Sequence, residues 1–226
     1  MATVNLTPVQ SRIVGCLIEK EMATPDNYPL TMNALLAACN QTSNRNPVTR
    51  LEEPTVGNAL ENLRAMNVVR IVYSRSNRAD KYRHVLDEML AIEPEHLALL
   101  SVLLLRGPQT ASELRTRTER LHPFADQEEV DEALGELAGR DEPLVARLER
   151  RPGQKESRWA HLLGGDLAEA LAGTEDDRVA EPRPSPRSER LSALEEAVAD
   201  LRADLDSLQR AHRRLVERLG EADLDA

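Results

Sequence analysis

The residues best suited to chemistry in this sequence are cations gathered on a short alternating segment. Arg70, Arg75, Arg78, Lys81 and Arg83 face a single acid, Asp80, a local net charge of +4. Cations clustered on a hairpin suit phosphate neutralisation, because each contact releases condensed counterions. A second segment repeats the pattern with Arg147, Arg150, Arg151, Lys155 and Arg158 against Glu149 and Glu156, net +3. The plainer reading of both is a solvated edge strand, which Lys and Arg also protect. Beside the first cluster, Asn58, Asn62 and Arg64 lie on a helical segment with Glu61. Asparagine pairs with adenine and arginine with guanine through two hydrogen bonds, so these are weaker base-proximal candidates. Arg45 joins them from a polar loop at 40–50 that also holds three Asn, Gln41, Thr42, Ser43, Thr49 and Arg50. That loop reads either as turns bonded to their own backbone or as a recognition element.

Enzymatic readings find little to hold. The sequence contains no Gly-rich phosphate loop, no GxSxG and no HExxH. The five histidines, His84, His96, His122, His161 and His212, are scattered, and no carboxylate pair stands out as acid and base. The expectation is a binding protein without cofactor, metal or small-molecule ligand.

Elements to position these side chains follow from capping and periodicity. Thr7-Pro8-Val9-Gln10 reads as a capping box with proline at the first helical position, opening a helix with Val9, Ile13, Cys16 and Leu17 on one stripe. Thr31 opens a second helix with Leu35, Leu36 and Cys39, and a third starts near Pro54 with Val56, Leu60 and Leu63. After Asn67 the pattern becomes β-branched, from Val68 to Tyr73, and returns over Lys81 to Val85. The order then recurs: a helix from Glu93-Pro94 through Leu105, a capping box at Thr110–Glu113, and a third helix capped by Asp126 and Glu129. Strands at 144–148 and 158–162 complete the second copy. The offset is 74 residues from Val56 to Val130 and 77 from His84 to His161. Two copies imply tandem domains rather than a solenoid. Three helices and a hairpin in this length match the winged-helix plan. The expected fold is mainly α with small β-hairpins (α+β), as two tandem winged-helix domains at 1–90 and 91–165. His84 and His161 fall at equivalent strand positions, which suggests a shared packing role.

At the level of short motifs the chain resembles the YceH-like family of uncharacterised bacterial proteins. The resemblance rests on Leu6-Thr7-Pro8, Ile13 to Lys20, Thr24-Pro25, Tyr28-Pro29-Leu30, Ala38 to Gln41, Asn44-Arg45 and Pro47-Val48. Asn77-Arg78 before Lys81-Tyr82, Leu103 to Gly107, Glu113 to Arg115 and Glu156 to Arg158 extend it, so that it covers about residues 5–163. It implies two winged-helix domains and carries no catalytic residues with it.

Beyond the repeat, Pro182, Pro184 and Pro186 mark a stiff linker within an acidic stretch, 166–189. Leu191, Leu194, Val198, Leu201, Leu205, Leu208, Leu215 and Leu219 then alternate spacings of three and four, with His212 as the polar seam position. That seam over 190–220 reads as a coiled-coil helix for self-association or a partner helix, against a helix docked on its own domains.

Composition fits this plan. Aromatic residues are 2% and charged residues 30%, so cores must rest on Leu, Val, Ile and Ala. The net charge of −10 is uneven: residues 1–90 carry 10 basic and 9 acidic groups, 91–165 carry 10 and 14, and 166–226 carry 9 and 16. Acidity therefore gathers away from the first domain, which leaves double-stranded DNA open as its partner. The helix at 126–139 holds Asp126, Glu128, Glu129, Asp131, Glu132 and Glu136, so the second domain is expected to meet protein instead. Cys16 and Cys39 sit among apolar neighbours without a CxxC and read as buried free thiols. No signal peptide or membrane span is evident, and the cytoplasm is the expected compartment. Taken together the expectation is a DNA-binding regulator acting through the first wing. The alternative is a non-catalytic scaffold whose winged helices bind protein.

Overall fold

Thr7 opens the first helix by the capping exchange that its neighbours imply. The Gln10 amide donates to Thr7 Oγ1 at 3.3 Å, and the Thr7 amide donates to Gln10 Oε1 at 2.8 Å. Helix α1 runs Pro8–Ala23. The computed structural model describes residues 4–73, 79–150 and 156–164, all within one compact unit spanning residues 1–176. The heptad positions from Leu191 to Leu219 and the linker at 166–189 lie outside the described residues, as do Arg75 and Arg78.

After α1 come a 3-10 turn (Pro25–Asn27), strand β1 (Leu30–Thr31), α2 (Met32–Cys39) and α3 (Glu53–Ala65). The hairpin β2 (Val69–Val72) and β3 (Lys81–His84) follows, then a short α4 (Leu86–Leu90). The second half runs α5 (Pro94–Arg106), α6 (Ala111–Thr118), α7 (Gln127–Ala138), β4 (Val145–Arg147) and β5 (Trp159–His161). The protein is thus α+β, with helices predominating over small antiparallel sheets.

Local chemistry sets several boundaries. Asn67 adopts a left-handed φ of 57°, a conformation asparagine tolerates, and it ends α3 in a Schellman turn. Its amide donates to Arg64 O and the Val68 amide to Leu63 O, both at 2.9 Å. The turn delivers Val68 and Val69 straight into the core, where both are buried. Thr110 and Glu113 form the expected capping box on α6, and Asp126 accepts from the Glu129 amide at 3.0 Å to start α7.

The repeat holds at the level of strand register. Val69 pairs with His84 in the first half and Val145 with His161 in the second. Strand β1 pairs Leu30 with Tyr82, giving a three-stranded sheet ordered β1-β3-β2. Its counterpart is a single bridge between Gln109 and Trp159, immediately before the Thr110 cap. Sequence pattern missed β1, since two residues before a helix N-cap carry no alternation to read.

The stripe expected on α1, Val9, Ile13, Cys16 and Leu17, lies in or against the core, and burial extends beyond it. Every residue from Gln10 to Ile18 is buried, while Val9 lies at the margin. The cause is α5, itself buried from His96 to Leu105, which covers the face of α1 that a lone domain would leave wet. Close approach depends on Gly15: a Cβ there would meet Leu105 Cγ at 2.9 Å and Leu104 Cβ at 3.2 Å. Ser101 Oγ donates to Gly15 O at 3.1 Å across the same contact. Leu6 N–H donates to Leu163 O at 2.6 Å, tying the start of one half to the end of the other. The two halves therefore share one hydrophobic core.

Candidate nucleic-acid interface

Alternation along the first hairpin decides which side chains face out. Val69, Tyr82 and His84 are buried, so Arg70, Lys81 and Arg83 occupy the opposite face. The register places Arg70 directly across from Arg83 and Val72 across from Lys81. Two guanidinium groups facing each other on adjacent strands repel. Here a carboxylate sits between them: Arg70 donates to one oxygen of Glu88 at 3.0 Å, and Arg83 donates to the other. Glu88 comes from α4, an element that sequence pattern did not announce. Two cations share one anion, so the outward face keeps a positive balance, to which Lys81 adds. Both arginine pairs with Glu88 are solvent-accessible, where such bridges hold weakly and exchange readily.

Tyr73, 77% exposed at the end of β2, adds an aromatic surface beside these cations. It also escaped sequence reading, because a tyrosine closing a β-branched run ordinarily marks core.

Helix α3 presents Thr55, Asn58 and Asn62 to solvent while Val56, Ala59, Leu60 and Leu63 pack inward. Asn58 and Asn62 are one turn apart and both free to meet a partner surface. Arg64 is held by Glu61 at 2.7 Å on the same helix, which cancels its charge locally. The Tyr82 phenol is pushed above its ordinary pKa, first by burial and then by Asp80 and Glu61, so α3 and the hairpin base adjoin at this ring.

Arg45 is a correction. Expected near bases, it is buried instead, its side chain wholly inaccessible. It donates to both oxygens of Glu19 at 3.0 and 2.6 Å, to Ala38 O at 3.0 Å, to Asn44 O at 2.8 Å and to Gln41 Oε1 at 2.8 Å. Burial works against its charge, but the Glu19 bonds more than offset this and raise its pKa. Asn40 closes the same loop, accepting from the Leu51 amide at 2.7 Å and donating to Leu51 O at 2.8 Å. The polar loop at 40–50 is thus an internally bonded structure. Its position between α2 and α3 gave no hint that Glu19, 26 residues earlier, supplies the counter-charge.

The second hairpin differs. Arg147 lies over the Trp159 ring at 5.9 Å and donates to Ser157 Oγ at 2.6 Å. Arg158 donates to Pro108 O at 3.1 Å and stands 3.9 Å from Glu113. These cations fold back on their own surface. Helix α7 meanwhile exposes Glu128, Glu129, Asp131, Glu132 and Glu136. Among the described residues no group of His, Cys, Asp or Glu could hold a metal ion, and no helix is long and apolar enough to cross a membrane.

An α+β chain of two helix-and-hairpin halves on a shared core, with one outward basic sheet face, is the class that this geometry defines. A family profile described as "Protein of unknown function, DUF480" matches residues 6–154, and the chain belongs to that family. It is similar to a UPF0502 protein of Geobacter sulfurreducens, 52% identical over 206 residues, covering 87% of this chain and 90% of the relative. A UPF0502 protein of Pelobacter propionicus is 48% identical over 211 residues, covering 91% and 94%. Another, of Burkholderia orbicola, is 43% identical over 227 residues, covering 98% and 92%.

Proposed function

We propose that this protein is a cytoplasmic DNA-binding regulator of two tandem winged helices, in which the first half grips duplex DNA. In this reading α2 and α3 are a helix-turn-helix, α3 lies toward the major groove, and the β2–β3 hairpin is the wing along the phosphates. The observation that carries it is the outward face where Arg70, Lys81 and Arg83 share one accessible carboxylate, Glu88. A phosphate can take the place of Glu88 between the two guanidinium groups without burying any new charge. Arg75 and Arg78 belong to the same wing by sequence and extend the phosphate track. Asn58 and Asn62 are the base-proximal side chains. Self-association through the leucine seam at 190–220 would pair two such half-sites and raise affinity through effective concentration.

The second half reads as a protein-binding partner domain, because the exposed carboxylates of α7 would repel a phosphate backbone. The test is affinity for random duplex DNA as a function of salt, with the full chain. Binding should weaken as salt rises, and Arg70→Ala should flatten the slope by roughly one unit. Absence of binding at about 50 mM salt, where phosphate contacts are strong, would replace this reading with that of a protein-binding scaffold.

A further inference from the structure

The outward face of α3 carries Thr55, Asn58, Asn62 and Ala65, all exposed and spaced at three and four residues. Asn58 and Asn62 are one turn apart, about 6 Å along the axis. That separation is close to two base-pair steps of about 3.4 Å each. Among the described residues neither side chain is hydrogen-bonded within the protein. Arg64 is the one cation in the helix, and it gives two hydrogen bonds to Glu61, at 2.7 and 2.9 Å. It leans toward the hairpin base, where its charge is felt by the Tyr82 phenol. The outward face therefore offers amides and no guanidinium.

Beside Asn58 an open groove of about 420 Å³ lies between the start of α2 and the start of α3, lined by Met32, Glu53, Pro54, Gly57 and Asn58. Gly57 sets its depth. Within a helix glycine is the least favoured residue after proline. A Cβ at this position would have Met32 Cε as its nearest neighbour, at 3.8 Å, an ordinary contact. Packing within the chain thus accepts alanine, and what glycine provides is room beside Asn58. Glu53 stands at the same groove and repels phosphate, so the groove suits a base edge rather than the backbone. When ionised its carboxylate only accepts, which disfavours guanine, whose major-groove edge presents O6 and N7 as acceptors.

We propose, on the reading that the first half grips duplex DNA, that α3 selects A·T pairs in the major groove. Asn58 and Asn62 pair with adenines, and the groove at Gly57 receives a thymine methyl group.

A primary amide presents a donor and an acceptor side by side, the complement of the adenine N6 amino group and N7. Guanine offers two acceptors, which only the donor side of the amide can meet. Arginine supplies the paired donors that guanine needs, and the outward face of α3 has none. Thymine carries the one apolar group on the major-groove edge, and Met32, Pro54 and Gly57 meet it with carbon atoms. Cytosine bears a hydrogen there and leaves the groove less filled. Arg70, Lys81 and Arg83 hold phosphates irrespective of sequence, so the choice of site falls to α3.

The experiment selects bound duplexes from a randomised pool with the full chain at about 150 mM salt, then measures affinities for the enriched sequence and its variants. The enriched sequence should carry two A·T pairs within about two steps of each other, in line with the spacing of Asn58 and Asn62. Exchange of either pair for G·C should weaken binding about 5-fold or more. Uracil in place of the contacted thymine removes the methyl group alone and should weaken binding by about 4-fold. In Gly57→Ala, whose added Cβ fits the fold, the ratio between thymine and uracil duplexes should fall toward one. In Asn58→Ala the preference for one A·T pair should vanish. Enrichment of G·C pairs, or an A·T preference that survives in both Asn58→Ala and Asn62→Ala, would overturn the assignment to α3. Equal affinity for A·T and G·C duplexes, with binding still salt-dependent, would overturn base selection and leave the phosphate grip standing. Absence of duplex binding even at about 50 mM salt would overturn both.

Discussion

Arg70 and Arg83 stand directly opposite each other on neighbouring strands and divide the two carboxylate oxygens of Glu88 between them. The pair is the natural point of attack on the proposed DNA surface. In Glu88→Gln the bridging charge is gone and both guanidinium groups are left for phosphate. DNA affinity at low salt should rise, and the salt slope should steepen by up to about one unit. Fluorescence anisotropy with a labelled duplex at several salt concentrations measures both. Weaker binding by Glu88→Gln would mean that the carboxylate organises the surface rather than masks it.

Buried and exposed arginines should differ sharply in their effect on stability. Removing Arg45 leaves Glu19 largely buried with its principal partner gone, a class of change that costs about 3–5 kcal/mol. Urea unfolding of Arg45→Met should show a loss of that order. Arg64→Ala, which breaks only an accessible pair with Glu61, should cost about 0–1 kcal/mol. A similar midpoint for both variants would contradict the interior role of Arg45.

Gly15 lets α1 and α5 approach, and even one methyl group there would press on Leu104 and Leu105. Gly15→Ala gains roughly 1 kcal/mol of helix propensity, against an overpacking cost of about 1–3 kcal/mol. Thermal unfolding should therefore show a small net loss. Gly15→Leu, which cannot be absorbed by a small shift, should lose cooperative unfolding. An unchanged melting temperature in Gly15→Leu would show that the helices do not meet as described.

His161 supplies a pH dependence. Burial lowers its pKa from 6.5 to about 4, so the folded imidazole stays neutral where the unfolded chain takes up a proton. Its contribution is fully present above pH 6.5 and is lost as pH falls from there toward 4. At about 1.4 kcal/mol per unit of pKa the loss amounts to at most about 3.5 kcal/mol, less to the extent that the ring retains solvent contact. His161→Phe keeps an aromatic ring and removes the titration. Its stability curve, from urea unfolding between pH 7 and 4.5, should be flatter than that of the wild type. Parallel curves would exclude His161 as the source.

Much of the architecture was legible because local chemistry decided it. Thr7 with Gln10, Thr110 with Glu113 and Asp126 with Glu129 each announce a helix start through bonds within four residues. Val56, Leu60 and Leu63 mark the inward face of α3 by spacing, and all three are buried. Cys16 and Cys39 are free and buried as their apolar neighbours implied. Within the candidate site, alternation along the hairpin placed Arg70, Lys81 and Arg83 together. What pattern did not reveal was their partner, since Glu88 arrives on α4 after the strands have ended.

Short-range bonding, side-chain periodicity and the 77-residue echo of His84 in His161 thus determined the principal helices and hairpins, their order and their repetition from sequence alone, though not β1 or α4. Tertiary structure decided which charges remain at the surface. Arg45 and Arg83 are the same residue type in polar or alternating surroundings, yet one lies in the interior on Glu19 and the other on an accessible sheet face. The difference is electrostatic and non-local. A guanidinium can be buried only where a distant segment brings it a carboxylate and carbonyls, and that encounter exists only once α1, α2 and the loop have packed.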